Sequence, residues 1–141
     1  MRIYVPLQII DLNADGFHPL VDITLDGNSF TLVVDTGASK TALDRALLLS
    51  TNKNVTLNTN ESLSTGLGTN TMQSYTTMID NLRIGGLHIT GFEVAVLDLS
   101  TINIAYAQMG HPEVLGVLGG DLLMRHKAVI DYGKKTISFR A

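Results

Sequence analysis

The stretch LVVDTGASKTAL, residues 32–43, ends an apolar run on an aspartate, Asp35, which is followed by Thr36 and Gly37. An ionised carboxylate at the end of a buried strand is destabilising unless it is hydrogen-bonded or functional. The Thr36 hydroxyl and the Gly37 backbone N–H provide donors beside it. All three residue types are also common in turns. The tripeptide is therefore either a simple turn or a turn that holds a carboxylate for proton-transfer chemistry.

A second strand end marked by glycine follows much later in the chain, in VLGGDLL, residues 117–123. Val117 and Leu118 predict a short buried strand, and a glycine such as Gly119 lets another backbone pass closely. We therefore expect the strand ends at Asp35 and Gly119 to lie side by side.

Other chemical motifs are missing from the sequence. It has no cysteine and no phosphate-binding or HExxH pattern, and GLG at 66–68 neither follows a parallel strand nor opens a helix. Four histidines are scattered singly along the chain: His18, His88, His111 and His126. We expect no metal ion and no cofactor.

The elements around these motifs are mostly strands. Apolar residues alternate at Val21, Ile23 and Leu25, and DGNS after them has the residues of a tight turn, so VDITL and FTLVV are expected to form an antiparallel hairpin. A similar alternation predicts a strand in the first residues, MRIYVPLQII. The last residues, KAVIDYGKKTISF, predict two strands joined at DYGK.

Three short helices are predicted between the strands. SKTALDRALLL is expected to begin at a Ser39 cap, STINIAYAQM at a Ser100 cap with Ile102, Ala105, Tyr106 and Met109 on one face, and GGDLLMRH at an Asp121 cap. Residues 52–78 are rich in Thr, Asn and Ser and predict a polar, mobile hairpin between strands.

Composition limits the possible partners. The 141 residues are expected to form one domain, 1–141, and a net charge of -3 without basic runs argues against nucleic acid and anionic membranes. No apolar run is long enough to span a bilayer. A hydrophobic content of 45% favours an oligomer. The amino terminus does not look like a signal peptide, so a cytoplasmic location is expected if Met1 is the natural start, and a secreted or periplasmic one if a leader was removed.

VVDTGAS together with VLGGDLL resembles the aspartic proteases, and a single copy in a short chain is similar to the retroviral type, the retropepsins. The resemblance implies a mostly β fold, a closed or partly open acid-protease barrel with two or three short helices. It also implies a symmetric homodimer in which Asp35 of each chain meets its counterpart. The expected activity is hydrolysis of peptide bonds in a peptide or protein substrate, without a cofactor.

The resemblance also assigns supporting roles. Thr36 would bond across the dimer axis, and the Gly37 N–H would hold the carboxylate. Ala38 matches the retroviral pattern, whereas Ser39 and Gly120 stand where those enzymes have a paired Asp and Arg. Both partners of that pair are missing together, so no charge is left unpaired, but the substrate and dimer contacts built on the pair are in doubt.

Two further segments are interpreted through the resemblance. The glycine-tipped flap that closes over a substrate corresponds to Thr65, Gly66, Leu67 and Gly68, for which a plain surface loop is the alternative. Residues 98–112 have no counterpart in the short viral enzymes and either cover the dimer or shape a pocket.

Two alternatives remain to be weighed against this hypothesis. VIDYG at 129–133 echoes the first motif, but Tyr132 lacks the compact hydroxyl of Thr36 and a hairpin follows, so Asp131 is interpreted as a turn residue. The chain as a whole is either an aspartic endopeptidase or a non-catalytic retropepsin-like module that binds a peptide or protein.

Overall fold

A computed structural model describes residues 1–52, 54–59 and 74–141 of the chain. Its strands are β1 (Arg2–Pro6), β2 (Gln8–Asp11), β3 (Phe17–Leu25), β4 (Asn28–Val34), β5 (Ala42–Asp44), β6 (Asn58–Thr59), β7 (Tyr75–Ile79), β8 (Leu82–Ile84), β9 (Leu87–Ile89), β10 (Phe92–Leu97), β11 (Gly116–Leu118), β12 (Val129–Asp131) and β13 (Thr136–Arg140). The helices are α1 (Arg45–Thr51), α2 (Ser100–Gln108) and α3 (Gly120–Arg125), and Asn13–Asp15 form a 3-10 turn. The predicted mostly β fold with a few short helices is confirmed.

The described strands form a large sheet and a small one. The large sheet has the order β6-β7-β10-β5-β11-β4-β3-β8-β9, with β2 added on β3, and the small one has the order β1-β13-β12. Among the described strands, β6 and β9 lie at the two ends of the large sheet and do not pair with each other. Of the two expected forms, a closed or a partly open barrel, the closed form is not found among the described strands.

The hairpin that leads to the first motif forms as predicted. β3 and β4 pair antiparallel from Leu20 opposite Val33 to Leu25 opposite Asn28. The two turn residues, Asp26 and Gly27, have φ angles of 50° and 83°, and a left-handed pair of this kind matches the twist of the flanking strands. Local turn chemistry thus fixes the register of the strand that carries the motif.

The uniform apolar run before Asp35 has a structural reason, because β4 is buried on both faces. Leu32 and Val34 point into the larger core, while Val33 points into a second core with Leu20 and Val117. A strand covered on both sides needs apolar residues at successive positions rather than alternating ones. The motif therefore starts from one of the most constrained strands of the fold.

The helix predicted from Ser39 is wrong in its first half. Ala42–Asp44 form β5, which pairs with β10 on one side and with β11 on the other. The helix begins only at Arg45, and its cap is Asp44, whose Oδ2 accepts from the Leu47 N–H at 3.1 Å. Pairing with two neighbouring strands outweighs the helical spacing of the apolar side chains.

The other two predicted caps also need correction. Ser100 is the first residue of α2, and its N–H donates to Asp98 Oδ1 at 2.9 Å. Hydrogen bonds from the Ser100 side chain and backbone hold the pKa of Asp98 below its usual value. Asp121 lies inside α3, after Gly119 at the cap position, and makes the contacts described below instead.

Helix α2 packs on the second core, close to the loop that follows β4. Tyr106 is 3% exposed, and Ile102, Met109 and Ala38 pack against the same core. Ala105, which was expected on this face, is exposed. Residues of the segment 98–112 therefore pack on the same core as Ala38, which lies in the loop after Asp35.

The predicted C-terminal hairpin is confirmed. β12 and β13 pair antiparallel, and β13 lies between β12 and β1, with its residues Ile137 and Phe139 in the larger core. Asp131 Oδ1 accepts from the Lys134 N–H at 2.9 Å, as its interpretation as a turn residue requires. Among the residues that the structure describes, no helix is long and apolar enough to cross a membrane.

Candidate active site

Asp35 lies immediately after β4, at a tight turn whose backbone and side chain are both held. Its N–H donates to the Leu118 carbonyl at 3.0 Å, and its own carbonyl accepts from the Ala38 N–H at 3.1 Å. The carboxylate Oδ1 accepts from the Gly37 N–H at 3.0 Å. The residue is half-buried, so solvent reaches the carboxylate. The turn therefore fixes the direction of a carboxylate that remains accessible.

The two glycine-marked strand ends lie side by side, as the sequence predicts. β4 and β11 run parallel, with Val33 opposite Val117 and Val34 opposite Leu118. A Cβ atom on Gly119 would lie 2.5 Å from the backbone carbonyl of Lys40, a distance that real Cβ atoms essentially never show. Only glycine lets these backbones approach so closely.

A second close approach, which no sequence motif indicates, occurs at the start of β11. A Cβ atom on Gly116 would overlap the Ala42 carbonyl of β5. These two close approaches, at Gly116 and at Gly119 just after the strand, clamp β11 against the segment from Lys40 to Leu43. The position of the Leu118 carbonyl, which holds Asp35, depends on this clamp.

A buried threonine, Thr41, joins the two motifs through side-chain hydrogen bonds. It is fully buried, and its hydroxyl donates to Asp121 Oδ1 at 2.8 Å while accepting from the Gly119 N–H at 3.0 Å. The Thr41 N–H donates to the same Asp121 oxygen at 2.9 Å. Hydrogen bonds to an ionised carboxylate are stronger than neutral ones. These contacts link the loop after Asp35 to the start of α3.

The Thr41→Val variant should be destabilised, because valine has the same shape but leaves the Gly119 N–H without its acceptor. We expect the free energy of unfolding to fall by about 2 kcal/mol. Urea denaturation of wild type and variant measures the difference. Thr31→Val is the matched control, since the Thr31 hydroxyl donates to Asp22 at 3.2 Å on the surface. Equal losses in the two variants would contradict a special role for Thr41.

Ser39 and Gly120, where the retroviral pattern has a paired Asp and Arg, lie in two segments that backbone hydrogen bonds join. The Gly120 N–H donates to the Ala38 carbonyl at 2.7 Å, and the Asp121 N–H donates to the Ser39 carbonyl at 3.2 Å. The first turn of α3 thus holds the loop after Asp35 without any ion pair at these positions.

The remaining predicted site residues are only partly placed. Thr36 is exposed at the tip of the turn. The predicted flap residues, Thr65, Gly66, Leu67 and Gly68, lie outside the described residues. On either side of them, β6 and β7 pair antiparallel, with Asn58 opposite Thr76.

The described residues offer no candidate metal centre, and Asp35 does not line either of two cavities among them. No group of three or more His, Asp or Glu residues in the described ranges could hold a metal ion. A cavity of about 750 Å³ is lined by residues such as Asp22, Arg83 and Glu113, and a second one of about 460 Å³ by residues such as Asp26 and Asn52. Asp35 lines neither of them.

Comparison with known proteins agrees with this geometry. The family model described as aspartyl protease matches residues 21–122. The chain belongs to the aspartyl protease family. The matched stretch of the chain includes both strand ends, at Asp35 and Gly119, and the Thr41–Asp121 link between them. No curated protein has a matching sequence.

Solved structures give the same fold for this member of the family. A retropepsin-like aspartic protease from Rickettsia conorii superposes with a TM-score of 0.57 at 19% identity, covering 99% of this chain and 89% of that one. The retroviral protease-like domain of Ddi1 from Leishmania major superposes with a TM-score of 0.55 at 17% identity, covering 85% and 86%. The chain therefore has the retropepsin-like fold.

Proposed function

We propose that the protein is an aspartic endopeptidase that hydrolyses peptide bonds with water activated between two Asp35 carboxylates, one from each chain of a homodimer. The observation that carries the proposal is the doubly held Asp35. Leu118 fixes its backbone and the Gly37 N–H fixes its carboxylate, both at 3.0 Å. A carboxylate used only in a turn does not need a neighbouring parallel strand, here β11, to hold its backbone.

Two adjacent carboxylates suit the chemistry because like charges at short distance cannot both ionise. The ionised Asp35 takes a proton from the water molecule while the water oxygen bonds to the carbonyl carbon. The partner's Asp35, which is protonated, donates its proton to the carbonyl oxygen. The C–N bond then breaks as the amide nitrogen takes the proton that Asp35 received from water, while the partner's Asp35 takes a proton from a hydroxyl group of the tetrahedral intermediate, which leaves as the carboxylic acid product. The Gly37 N–H holds Oδ1, and Thr36 locks the paired loops across the axis. Thr65, Gly66, Leu67 and Gly68 close over the substrate.

One chain provides only half of this site. Among the described residues, no hydrogen bond joins Asp35 to a second carboxylate, and Thr36 and Gly37 in the same turn are exposed. The carboxylate partner therefore comes from a second copy, which also covers the exposed turn.

The small sheet provides a surface for that second copy. Tyr4 and Val129 are 69% and 51% exposed, and both lie opposite Ser138 in register, so they project on the same face. Large apolar side chains exposed together on a sheet are characteristic of an interface. In the described residues, β1 and β12 also have unpaired outer edges.

Mixing wild type with the inactive Asp35→Asn chain tests the proposal. If each site needs two Asp35 side chains, a 1:1 mixture that has exchanged subunits retains about a quarter of the activity of the same total amount of wild type. Chains that act singly would retain about half. Cleavage of a peptide library gives the activity, and native mass spectrometry of mass-tagged chains verifies exchange.

The alternative, a non-catalytic module, gives a different result in the same experiment. The fold is also similar to the retroviral protease-like domain of Ddi1, so a non-catalytic module is the second candidate function. No cleavage by a wild-type dimer at any pH, together with binding of an intact peptide, would replace the endopeptidase proposal with this one.

A further inference from the structure

The larger of the two cavities described above runs along the outer edge of the first half of β4. Ser29, Phe30 and Thr31 of this strand line the cavity, whose volume is about 750 Å³. On one side, β4 pairs with β3 from Asn28 onward. On the other side, β11 begins to pair with β4 only at Leu32. Among the described strands, none therefore pairs with residues 28–31 on the side of β11.

The backbone of this free edge presents hydrogen-bonding groups. The Thr31 carbonyl accepts from the Leu115 N–H at 2.8 Å, so the peptide groups of Thr31 point to the side of β11. Residues two apart on a strand direct their N–H and C=O groups to the same side. Ser29 therefore presents a donor and an acceptor on that side as well. An edge strand with free N–H and C=O groups is a template for a further strand.

The side chains beside the edge form one polar and one apolar set. Asp22 lies opposite Thr31 on β3, and its Oδ1 accepts from the Thr31 hydroxyl at 3.2 Å. Phe30, one residue along β4, projects on the other face and packs with Leu47 against the larger core, and both side chains also line the cavity. Because strand side chains alternate between faces, an added strand would meet polar groups at one residue and an apolar surface at the next.

The polar side of the cavity is negatively charged near the free edge. Asp22 and Glu113 both line the cavity and are exposed, and neither forms an ion pair within the part of the chain that the structure describes. Arg83 also lines the cavity, but it belongs to β8, which lies beyond β3 and two strands away from the free edge of β4. The two carboxylates near the edge therefore favour a basic side chain in a bound segment.

We propose that the edge of β4 at Ser29–Thr31 binds an extended peptide segment of a partner protein as an added β-strand. A basic side chain of the segment faces Asp22 and Glu113, and the apolar side chain next to it packs on Phe30. Main-chain hydrogen bonds provide the affinity of this mode of binding, and the alternating side chains provide its specificity. The chain's own net charge of -3 disfavours a second copy as the occupant. Asp35 does not line this cavity, so the proposed site is separate from the candidate active site.

The first test compares two synthetic peptides that differ in one charge. The probe is the peptide TVKLTVT, blocked at both ends and fluorescently labelled, in which apolar side chains alternate with polar ones. Its binding to the intact Asp35→Asn chain is measured by fluorescence anisotropy, so that cleavage cannot interfere. The peptide TVELTVT should bind about tenfold more weakly, and added salt should reduce this difference. Equal binding of the two peptides overturns the proposal.

The second test removes the two carboxylates of the cavity. The double variant Asp22→Asn, Glu113→Gln should bind TVKLTVT about fivefold more weakly. The matched control is the double variant Asp15→Asn, Glu93→Gln, which removes the same charge from two exposed residues that do not line the cavity. Equal affinity of the two double variants overturns the proposal.

The third test asks whether the backbone of β4 takes part. Ser29→Pro removes the Ser29 N–H, which points to the free side, so the pairing with β3 is kept. Binding of TVKLTVT should weaken about fivefold or more, whereas Ser29→Ala, which keeps the N–H, should bind normally. Thermal unfolding verifies that both variants fold. Equal binding by the two folded variants excludes an added strand.

Modified peptides give the same test with an unchanged Ser29. Two versions of TVKLTVT, N-methylated on alternate residues, lose the N–H donors of opposite sides of the peptide. Only one side of an added strand faces β4, so one version should bind about fivefold more weakly than the other. Equal binding of the two versions overturns the proposal even if Ser29→Pro does not fold.

The proposed site and the endopeptidase function fail separately. If wild type cleaves no peptide but prefers TVKLTVT to TVELTVT, the endopeptidase function fails and the site stands. If wild type cleaves peptides but shows no such preference, the site alone is overturned. An affinity for TVKLTVT that falls as the protein concentration rises would mean that a second copy covers the edge, and would overturn the assignment to a partner protein.

Discussion

The Asp35→Asn variant is expected to lose peptide-bond hydrolysis by roughly 10³-fold or more, because an amide can neither take a proton from water nor share one with a second carboxylate. The fold should survive. Asparagine Oδ1 can still accept from the Gly37 N–H, and the backbone bond to Leu118 does not involve the side chain. Cleavage of a peptide library measures the loss, and thermal unfolding verifies that the variant is folded.

The control for this variant is Asp22→Asn, which also removes one carboxylate. Asp22 is exposed on β3, and asparagine there can still accept from the Thr31 hydroxyl. This variant should cleave at the wild-type rate. An Asp35→Asn chain that is pure, folded and as active as Asp22→Asn would exclude Asp35 as the reacting carboxylate.

The central part of the site is predictable from the sequence, because local chemistry determines it. Asp26 and Gly27 specify the turn that aligns β3 with β4, and the apolar run to Val34 requires a strand buried on both faces. Gly119 marks a close backbone approach whatever its partner is. These features of the sequence together predict that Asp35 lies next to β11.

What the sequence does not predict depends on contacts between distant residues. Thr41 and Asp121 are 80 positions apart, and His18 and Tyr106 are 88 apart, so no periodicity links them. Ala42 and Leu43 lie at helical spacing from Ala46 and Leu47. Ala42–Asp44 nevertheless form a strand, because β10 and β11 lie on either side of them. Intrinsic propensity is a weak prior that such tertiary pairing overrides.

The wrong predictions of the helix caps have a more local cause. Ser100 was predicted as a cap but lies inside the first turn of α2, and Asp121 does so in α3. Polar residues cluster at helix starts, so composition locates the start to within one or two positions without fixing which residue is the cap. The acceptor at the start of α2 is Asp98, two residues before Ser100.

Replacing the glycines at the start of β11 and just after it should have the second large effect, a loss of stability. In Gly116→Ala the new methyl group would overlap the Ala42 carbonyl, which is backbone and cannot swing away. We expect the free energy of unfolding to fall by about 3 kcal/mol or more, a large fraction of the stability of a protein of this size. In Gly119→Ala the methyl group would lie 2.5 Å from the Lys40 carbonyl, so a smaller but still severe loss is expected.

Gly120→Ala is the matched control, because it makes the same substitution next to Gly119. Its methyl group would lie 3.4 Å from the Ala38 carbonyl, a tolerable distance, and alanine favours the helix that begins there. Urea denaturation should therefore rank the losses as Gly116→Ala first, Gly119→Ala second and Gly120→Ala near zero. The same order should appear in the activity of those variants that fold, because the Leu118 carbonyl that holds Asp35 lies between the two clamped glycines. Equal stability of all three variants would mean that β11 can shift freely, and the doubly held Asp35 could then no longer support the proposed chemistry.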